Sequence, residues 1–356
     1  MSRGCAIRSA AGEPGGSPNL VSAPPTSQVI RVQRRSRVLV SSTLTCLSTL
    51  PTINLTAGCL HDCAYCYIRG YRGYPGESTA TLYEDTPERL ERELERAKVK
   101  PRAVYFSPSS DLFQPHPDIQ RCAERVIEIL FEHGVGVAFL SKGEISERAW
   151  ELLEAHASLV QAQIGLISAS EDVALTFESG AAPPAKRLEQ MARLVRAGIR
   201  VAARMDPVLP GITDTDEELM RLFDAVAETG VSSVSVGILI ARSKITASLR
   251  RATGPLAASV PSMLARFKGG GSIAMRGAGT EVGVLPAPER EAIIDRIRRR
   301  AAARGIEIRV CACKNADITG GSCNIAGTWP RRPAPRQFQL PLAASRGSER
   351  TEERPQ

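Results

Sequence analysis

The sequence predicts an α/β fold, a partial (β/α)6 TIM-like barrel with a C-terminal extension, and three features carry that prediction. Apolar strand-like runs alternate with amphipathic helical runs, the pattern of a parallel sheet covered by helices. Six such strands can be counted before residue 241. Polar residues gather just past several strand ends, where a parallel α/β barrel carries its chemistry. A doubly wound open sheet is the alternative, and would place the site at a topological switch point.

Taken in order, residues 1–36 are rich in Gly, Pro, Ser and Ala and lack a sustained apolar period, which predicts a disordered tail. The first strand is the run Thr52-Ile53-Asn54-Leu55-Thr56, and Ala57-Gly58 lead from it into a cysteine-rich loop. Thr86 caps a helix running through Lys98, with Pro87 in its first turn. Strand Ala103–Phe106 and helix Asp118–His133 follow, then strand Val135–Leu140 and helix Ser146–Ala155. Strand Val160–Leu166 precedes a loop and helix Ala185–Ala197. Strand Arg200–Met205, helix Thr215–Glu228 and strand Ser233–Ile240 complete the alternation. A less regular stretch contains Gly269-Gly270-Gly271, helix Pro288–Arg304 and strand Glu307–Val310. The barrel core is placed at residues 37–245, the extension at 246–330 and a second disordered tail, rich in Pro, Arg, Glu and Ser, at 331–356.

The 356 residues, 43% of them hydrophobic, suffice for one barrel-sized domain or two smaller ones. No apolar run approaches the roughly eighteen residues of a membrane span, and the first residues lack a basic-then-apolar export pattern, so a cytoplasmic protein without a membrane segment is expected. Nine cysteines without an export signal argue for metal ligation in a reducing compartment. The net charge of +8 invites a nucleic-acid reading, yet residues 38–329 hold 34 basic and 34 acidic residues. The excess sits at the ends, where it adds attraction to phosphates without shaping a groove.

The chain is organised around Cys59-Leu60-His61-Asp62-Cys63-Ala64-Tyr65-Cys66, with three thiols in eight residues. A [4Fe-4S] cube is normally held by four thiolates, and one short loop with this spacing wraps three of its corners. The fourth iron then keeps an open position, the mark of a reactive centre. The competing reading is a tetrahedral zinc site completed by His61 or Cys46, in a non-catalytic zinc or iron-sulfur scaffold. Tyr65 and Tyr67 set aromatic surface against the bound centre, which a small zinc knuckle does not require.

Cys59-x-x-x-Cys63-x-Tyr65-Cys66 resembles the cluster motif of the radical S-adenosylmethionine superfamily. The longer run Gly58 to Tyr67 is similar to the branch containing spore photoproduct lyase, over about residues 52–240. The resemblance implies that Cys59, Cys63 and Cys66 hold a [4Fe-4S] cluster whose open iron binds S-adenosyl-L-methionine. It implies reductive cleavage of that cofactor to a 5'-deoxyadenosyl radical, which abstracts hydrogen from a substrate, and an electron donor such as flavodoxin or ferredoxin. It does not name the substrate: DNA repair stands beside modification of an RNA, peptide or small molecule.

Past the strand ends stand Ser109-Ser110-Asp111, Ser141-Lys142 and Ser168-Ala169-Ser170-Glu171. Hydroxyls and a lysine at one rim could bind a zwitterionic amino acid and a ribose, though helix capping and a solvated lysine account for them equally well. The resemblance implies that Ser110, Lys142 and either Ser168 or Ser170 contact the cofactor. Phe177-Glu178, Lys186-Arg187-Leu188 and Asp206 to Gly211 also resemble motifs of the branch, with no role carried over. One departure matters. Where spore photoproduct lyase has a hydrogen-donating cysteine two residues before that serine, this chain has Pro108, which cannot give a hydrogen atom in that way. Finally, Cys311, Cys313 and Cys323 could bind a second cluster or zinc, completed by Cys46, or could include a redox thiol, or could be buried unmodified cysteines.

Overall fold

The computed structural model describes residues 27–275, 280–319 and 321–329. The predicted tails fall outside the described residues over 1–26 and 331–356. Four strands precede or enter the cysteine loop: β1 (Gln28–Val32), β2 (Val40–Ser41), β3 (Pro51–Ile53) and β4 (Thr56–Gly58). β5 (Thr79–Tyr83) leaves it. Then come α1 (Thr86–Arg96), β6 (Ala103–Phe106), α2 (Pro117–Glu132), β7 (Gly136–Ser141), α3 (Glu147–Ala155) and β8 (Val160–Gly165). The alternation continues through α4 (Glu171–Phe177), α5 (Pro184–Arg196), β9 (Arg200–Val208), α6 (Asp216–Glu228) and β10 (Ser233–Ile238). The extension holds α7 (Ser243–Leu249), α8 (Val260–Ala265), β11 (Ser272–Ala274), β12 (Glu281–Gly283), α9 (Ala287–Ala302) and β13 (Glu307–Val310).

The main sheet has eight strands in the order β13-β10-β9-β8-β7-β6-β3-β2. Only the β2–β3 pair is antiparallel; the other neighbours run parallel. From β3 to β13 the order follows the chain and never reverses, so there is no switch point, and the partial barrel prevails over the doubly wound sheet. A second sheet, β1-β5-β4, flanks the cysteine loop.

Three expectations are corrected. The predicted tail over 1–36 ends early, because Val29, Ile30 and Val32 make β1, a strand paired in parallel with β5. The single strand expected over 52–56 divides into β3 and β4. At the break the Asn54 side chain accepts from the backbone N–H and hydroxyl of Ser109, and the chain then turns to pair β4 with β5. Thr86 is the first residue of α1 rather than its cap, and its hydroxyl donates to the Tyr83 carbonyl at 2.6 Å. Elsewhere the capping chemistry holds: Ser146 accepts from the Ala149 N–H and Thr215 from that of Glu218.

The core between sheet and helices is built as the periodicities dictate. β8 is buried along its whole length, and α1 and α2 bring Leu90, Leu94, Val126, Ile127 and Leu130 down onto the sheet. Each such side chain contributes about 1.5–3 kcal/mol on burial. The lumen is filled differently. Leu47, Leu50, Ala103, Tyr105 and Ala138 meet Ile325, Ala326 and Trp329 there, so the end of the extension plugs the barrel. Gln161 accepts from the Thr328 N–H at 2.8 Å, and a Cβ on Gly136 would lie 2.4 Å from the Trp329 ring. Among the described residues no helix is long and apolar enough to cross a membrane.

Candidate functional site

The cysteine loop is fixed by backbone bonds from four directions. Gly58 enters it at φ +81°, and a Cβ there would stand 2.4 Å from the Thr79 carbonyl oxygen, so only glycine lets β4 and β5 close at this point. The Leu60 N–H donates to Gln114, that of Ala64 to the Phe177 carbonyl, and that of Gly180 to the His61 carbonyl. Arg69 folds back over the loop, reaching the Asp62 carbonyl and carboxylate at 2.9 and 2.7 Å, while Asp62 also accepts from the N–H and hydroxyl of Ser78. Asp62 itself is held at φ 49°.

All three thiols are free. Burial pushes each of them up, Cys63 to about 12, with Glu178 adding to the rise at Cys63 and the Lys142 ammonium opposing it. Their neighbours' charge adds to the rise at Cys59 and Cys63. Sulfur donors on a fixed loop, with the Lys142 ammonium nearby to offset thiolate charge, suit an iron centre, since metal displaces thiol protons on binding.

His61 is no ligand in this arrangement. Its Nδ1 faces the Gly180 carbonyl at 2.9 Å and its Nε2 faces Asp111 at 3.2 Å. Asp111 further accepts from the Phe113 N–H, the Ser141 hydroxyl and the Lys142 N–H. Burial alone would raise its carboxyl, yet His61 and these donors hold it below the usual range. The zinc site completed by His61 is therefore not what the loop builds, and Cys46 lies with the other cysteine group. A second buried network lies under Tyr65, whose hydroxyl donates to Glu178. Glu178 also meets Arg187 at 2.7 Å and Lys142 at 4.0 Å. Burial works against its charge, but Arg187 and Lys142 bring its pKa below the ordinary value.

The sequence-predicted residues fall as follows. Ser110 lies between Pro108, whose carbonyl accepts from the Tyr67 hydroxyl, and Asp111, bonded to His61, so it borders the cysteine loop. The hydroxyls of Ser110 and Ser107 are buried without a partner. Lys142 stretches over Gly165, where a Cβ would stand 2.7 Å from its Cγ, and its Nζ sits 5.5 Å from the Tyr65 ring centre. Burial disfavours its charge, yet Glu178 and Cys63 raise its pKa. Ser168 is engaged: its hydroxyl donates to Glu218 at 2.5 Å and accepts from the Ser170 N–H. Ser170 stands at the N-cap of α4 without a side-chain capping bond. Sequence reading missed the Glu178–Arg187–Tyr65 network and the His61–Asp111 pair. The run Phe177-Glu178 marked the place but not the partners.

The second cysteine group comes together in the lumen. Cys46 and Cys311 each lie near both Cys313 and Cys323. Among the described residues, no group of three or more His, Cys, Asp or Glu side chains is already spaced to hold a metal ion, in the loop or in the lumen. The donors that fit the cofactors implied by the cysteine motif are nevertheless present: three free thiols on one loop, the unpartnered Ser110 hydroxyl at its border, and Lys142, whose pKa Cys63 and Glu178 raise.

Residues 53–223 match the family described as the Radical SAM superfamily. A Radical SAM Nalpha-GlyT isomerase of Pseudomonas phage M6 is 28% identical over 179 residues, which is 50% of this chain and 37% of that protein. An uncharacterised protein of Mycobacterium bovis is 27% identical over 194 residues, 52% of this chain and 57% of the relative. The chain thus spans less than two thirds of either. A solved spore photoproduct lyase with bound AdoMet and dinucleoside spore photoproduct superposes with a TM-score of 0.59 at 16% identity, over 79% of this chain and 81% of that one. Another, complexed with dinucleoside spore photoproduct, gives 0.57 at 17% identity over 82% and 87%. At such identities the lyases share a fold with this chain. The matched segment, just under half of the chain, opens on the last residue of β3, takes in the cysteine loop and runs into α6, and over it the chain is similar to the Radical SAM superfamily.

Proposed function

We propose that this protein is a radical S-adenosylmethionine enzyme in which Cys59, Cys63 and Cys66 hold a [4Fe-4S] cluster and Ser110 and Lys142 orient the cofactor. One observation carries the reading: three free thiols, Cys63 buried and Cys59 and Cys66 half-buried, share one rigid loop, and the unpartnered Ser110 hydroxyl lies at its border. When bound, the cluster and cofactor supply the radical chemistry, a reductively generated 5'-deoxyadenosyl radical that abstracts hydrogen from a substrate. The protein's own residues bind and position. Lys142, kept cationic beside Glu178, pairs with the cofactor's carboxylate, and the Ser110 hydroxyl hydrogen-bonds its polar atoms. Asp111 and His61 hold the loop and the Lys142 backbone in register. Ser168 acts at one remove, by fixing the loop before α4 through Glu218 and Ser170. The electron comes from a donor of the flavodoxin or ferredoxin kind.

The likeness to the lyases favours a nucleic-acid substrate, with one restriction. Pro108 occupies the position where the lyase has its hydrogen-donating cysteine, and its carbonyl is held by Tyr67, so any repair reaction here must take its hydrogen atom from elsewhere. The test is anaerobic reconstitution followed by dithionite and cofactor. Formation of 5'-deoxyadenosine and methionine, abolished in Cys63→Ala, is expected. A fully loaded cluster that cleaves no cofactor would overturn the reading.

A further inference from the structure

The eight-stranded sheet is an open barrel whose free edges are β2 and β13. Cys46 sits in a 3-10 turn, Thr45–Leu47, on the connection between β2 and β3 at one edge. Cys311 directly follows β13 at the other, its N–H donating to the Val236 carbonyl, and the Lys314 N–H closes a turn onto the Cys311 carbonyl around Cys313. Cys323 comes from the plug: its carbonyl accepts from Gln163 on β8 and Ser235 on β10, both at 3.0 Å. Cys46 packs in the same lumen cluster as Ile325 and Ala326. Four sulfurs from three separate stretches of chain therefore converge in the gap of the barrel, and all four are free thiols.

We propose that Cys46, Cys311, Cys313 and Cys323 form a closed four-thiolate zinc site that clasps the two open edges of the barrel. The hydrogen bonds of the backbone bring the four together, with Cys323 held between β8 and β10, Cys311 against Val236 of β10 and Cys46 packed beside Ile325 and Ala326, so that Cys46 and Cys311 each lie near both Cys313 and Cys323. Four sulfurs so gathered match a single tetrahedral ion, where metal–sulfur bonds of about 2.3 Å put neighbouring sulfurs about 3.8 Å apart. A cube spreads its thiolates over separate irons and needs wider spacing. Four protein ligands leave no open position, which makes the site structural. The surroundings supply the countercharge: the Arg204 guanidinium lies near Cys323, and Lys314 lies one residue beyond Cys313. Asp206 anchors both cations, Arg204 at 2.7 Å and Lys314 at 2.5 Å. Binding draws the four sulfurs inward onto the ion and releases the thiol protons.

The test uses the full chain with the first site removed, as the triple variant Cys59→Ala/Cys63→Ala/Cys66→Ala, supplied with zinc alone or cobalt alone under anaerobic conditions. One equivalent of zinc that survives dialysis is expected, and cobalt in its place should give the intense visible bands of a tetrahedral four-sulfur ion. Adding Cys313→Ser should weaken zinc retention at least tenfold. Since the cobalt spectrum reads the unaltered four-cysteine set, misfolding of that last variant does not blunt the test. Iron with sulfide in place of zinc would replace the proposal with a second cluster. Zinc indifferent to Cys313→Ser, or no zinc and no four-sulfur cobalt spectrum, would overturn it.

Discussion

Glu178 shows how much of the site rests on buried charge. It is 2% exposed and shared by Arg187, Lys142 and the Tyr65 hydroxyl, so Glu178→Gln leaves two buried cations without their anion. That should cost about 3–5 kcal/mol, read as a fall in the denaturant midpoint. The pH dependence has a definite sign. The folded carboxyl titrates below its ordinary value, so its contribution is complete above the usual carboxylate range, about 4.3, and disappears as pH falls through the lower folded pKa. The gap between wild type and Glu178→Gln should therefore be widest near neutrality and shrink in acid; a constant gap would mean that the charge is not what matters. Ser110 is the opposite case. Its hydroxyl has no partner, so Ser110→Ala should leave stability within about 0.5 kcal/mol while raising the cofactor dissociation constant roughly tenfold, the loss of one hydrogen bond. Isothermal titration beside a melt separates the two effects. Ser110 and Lys142 were legible because they follow strand ends. Glu178 was not, since Tyr65 lies 113 residues away and no local spacing records that contact.

The same distinction between local and distant information governs the elements. β6 to β10 announce themselves by apolar runs flanked by caps and turns, and even the short β13 was legible over its full length. β1 was missed because Gly, Pro and Ser on its N-terminal side masked five residues that become a strand only when β5 is there to pair with them. Removal of residues 1–36 should therefore bare the edge of β5 and loosen the cysteine loop, whereas a chain beginning at residue 27 should load iron normally. Iron and sulfide per chain after reconstitution, compared between the two, checks this. Gly180 makes a sharper probe of the contact between α4 and the loop. A Cβ there would stand 2.4 Å from the Leu60 carbonyl oxygen and 2.9 Å from that of His61, backbone atoms that cannot swing aside. Gly180→Ala should cost about 1–3 kcal/mol through the forced shift and lower cluster occupancy, with the helical circular dichroism unchanged.

At the scale of the whole molecule, the fold class was open to reading, and the sequence also offered Cys46 as a companion of Cys311, Cys313 and Cys323; what it did not record is that these residues, more than 260 apart, come from the two edges of one sheet. Charge gives the last prediction. Residues 38–329 balance at 34 basic and 34 acidic residues, and two of the four arginines between 31 and 37, read from sequence as part of a basic tail, are committed to the fold. Arg31 pairs with Asp118, and Arg34 is buried over the Tyr83 ring with a bond to the Asn54 carbonyl. A concentrated cationic surface among the described residues is a groove of about 350 Å³ lined by Arg37, Arg89, Arg92 and Arg96 with Glu93. Phosphate contacts supply much of the affinity for DNA, each adding about 0.9 to the slope of log affinity against log salt. If the protein repairs DNA through a dedicated surface, residues 27–329 should bind duplex DNA nearly as tightly as the full chain, with a similar salt slope. Reversing Arg89 and Arg96 to Glu should then lower that slope by about 2. Binding that vanishes when the ends are removed would show that the attraction belongs to the chain ends alone, and the substrate would then have to be sought among peptides and small molecules, whose recognition does not depend on a cationic face.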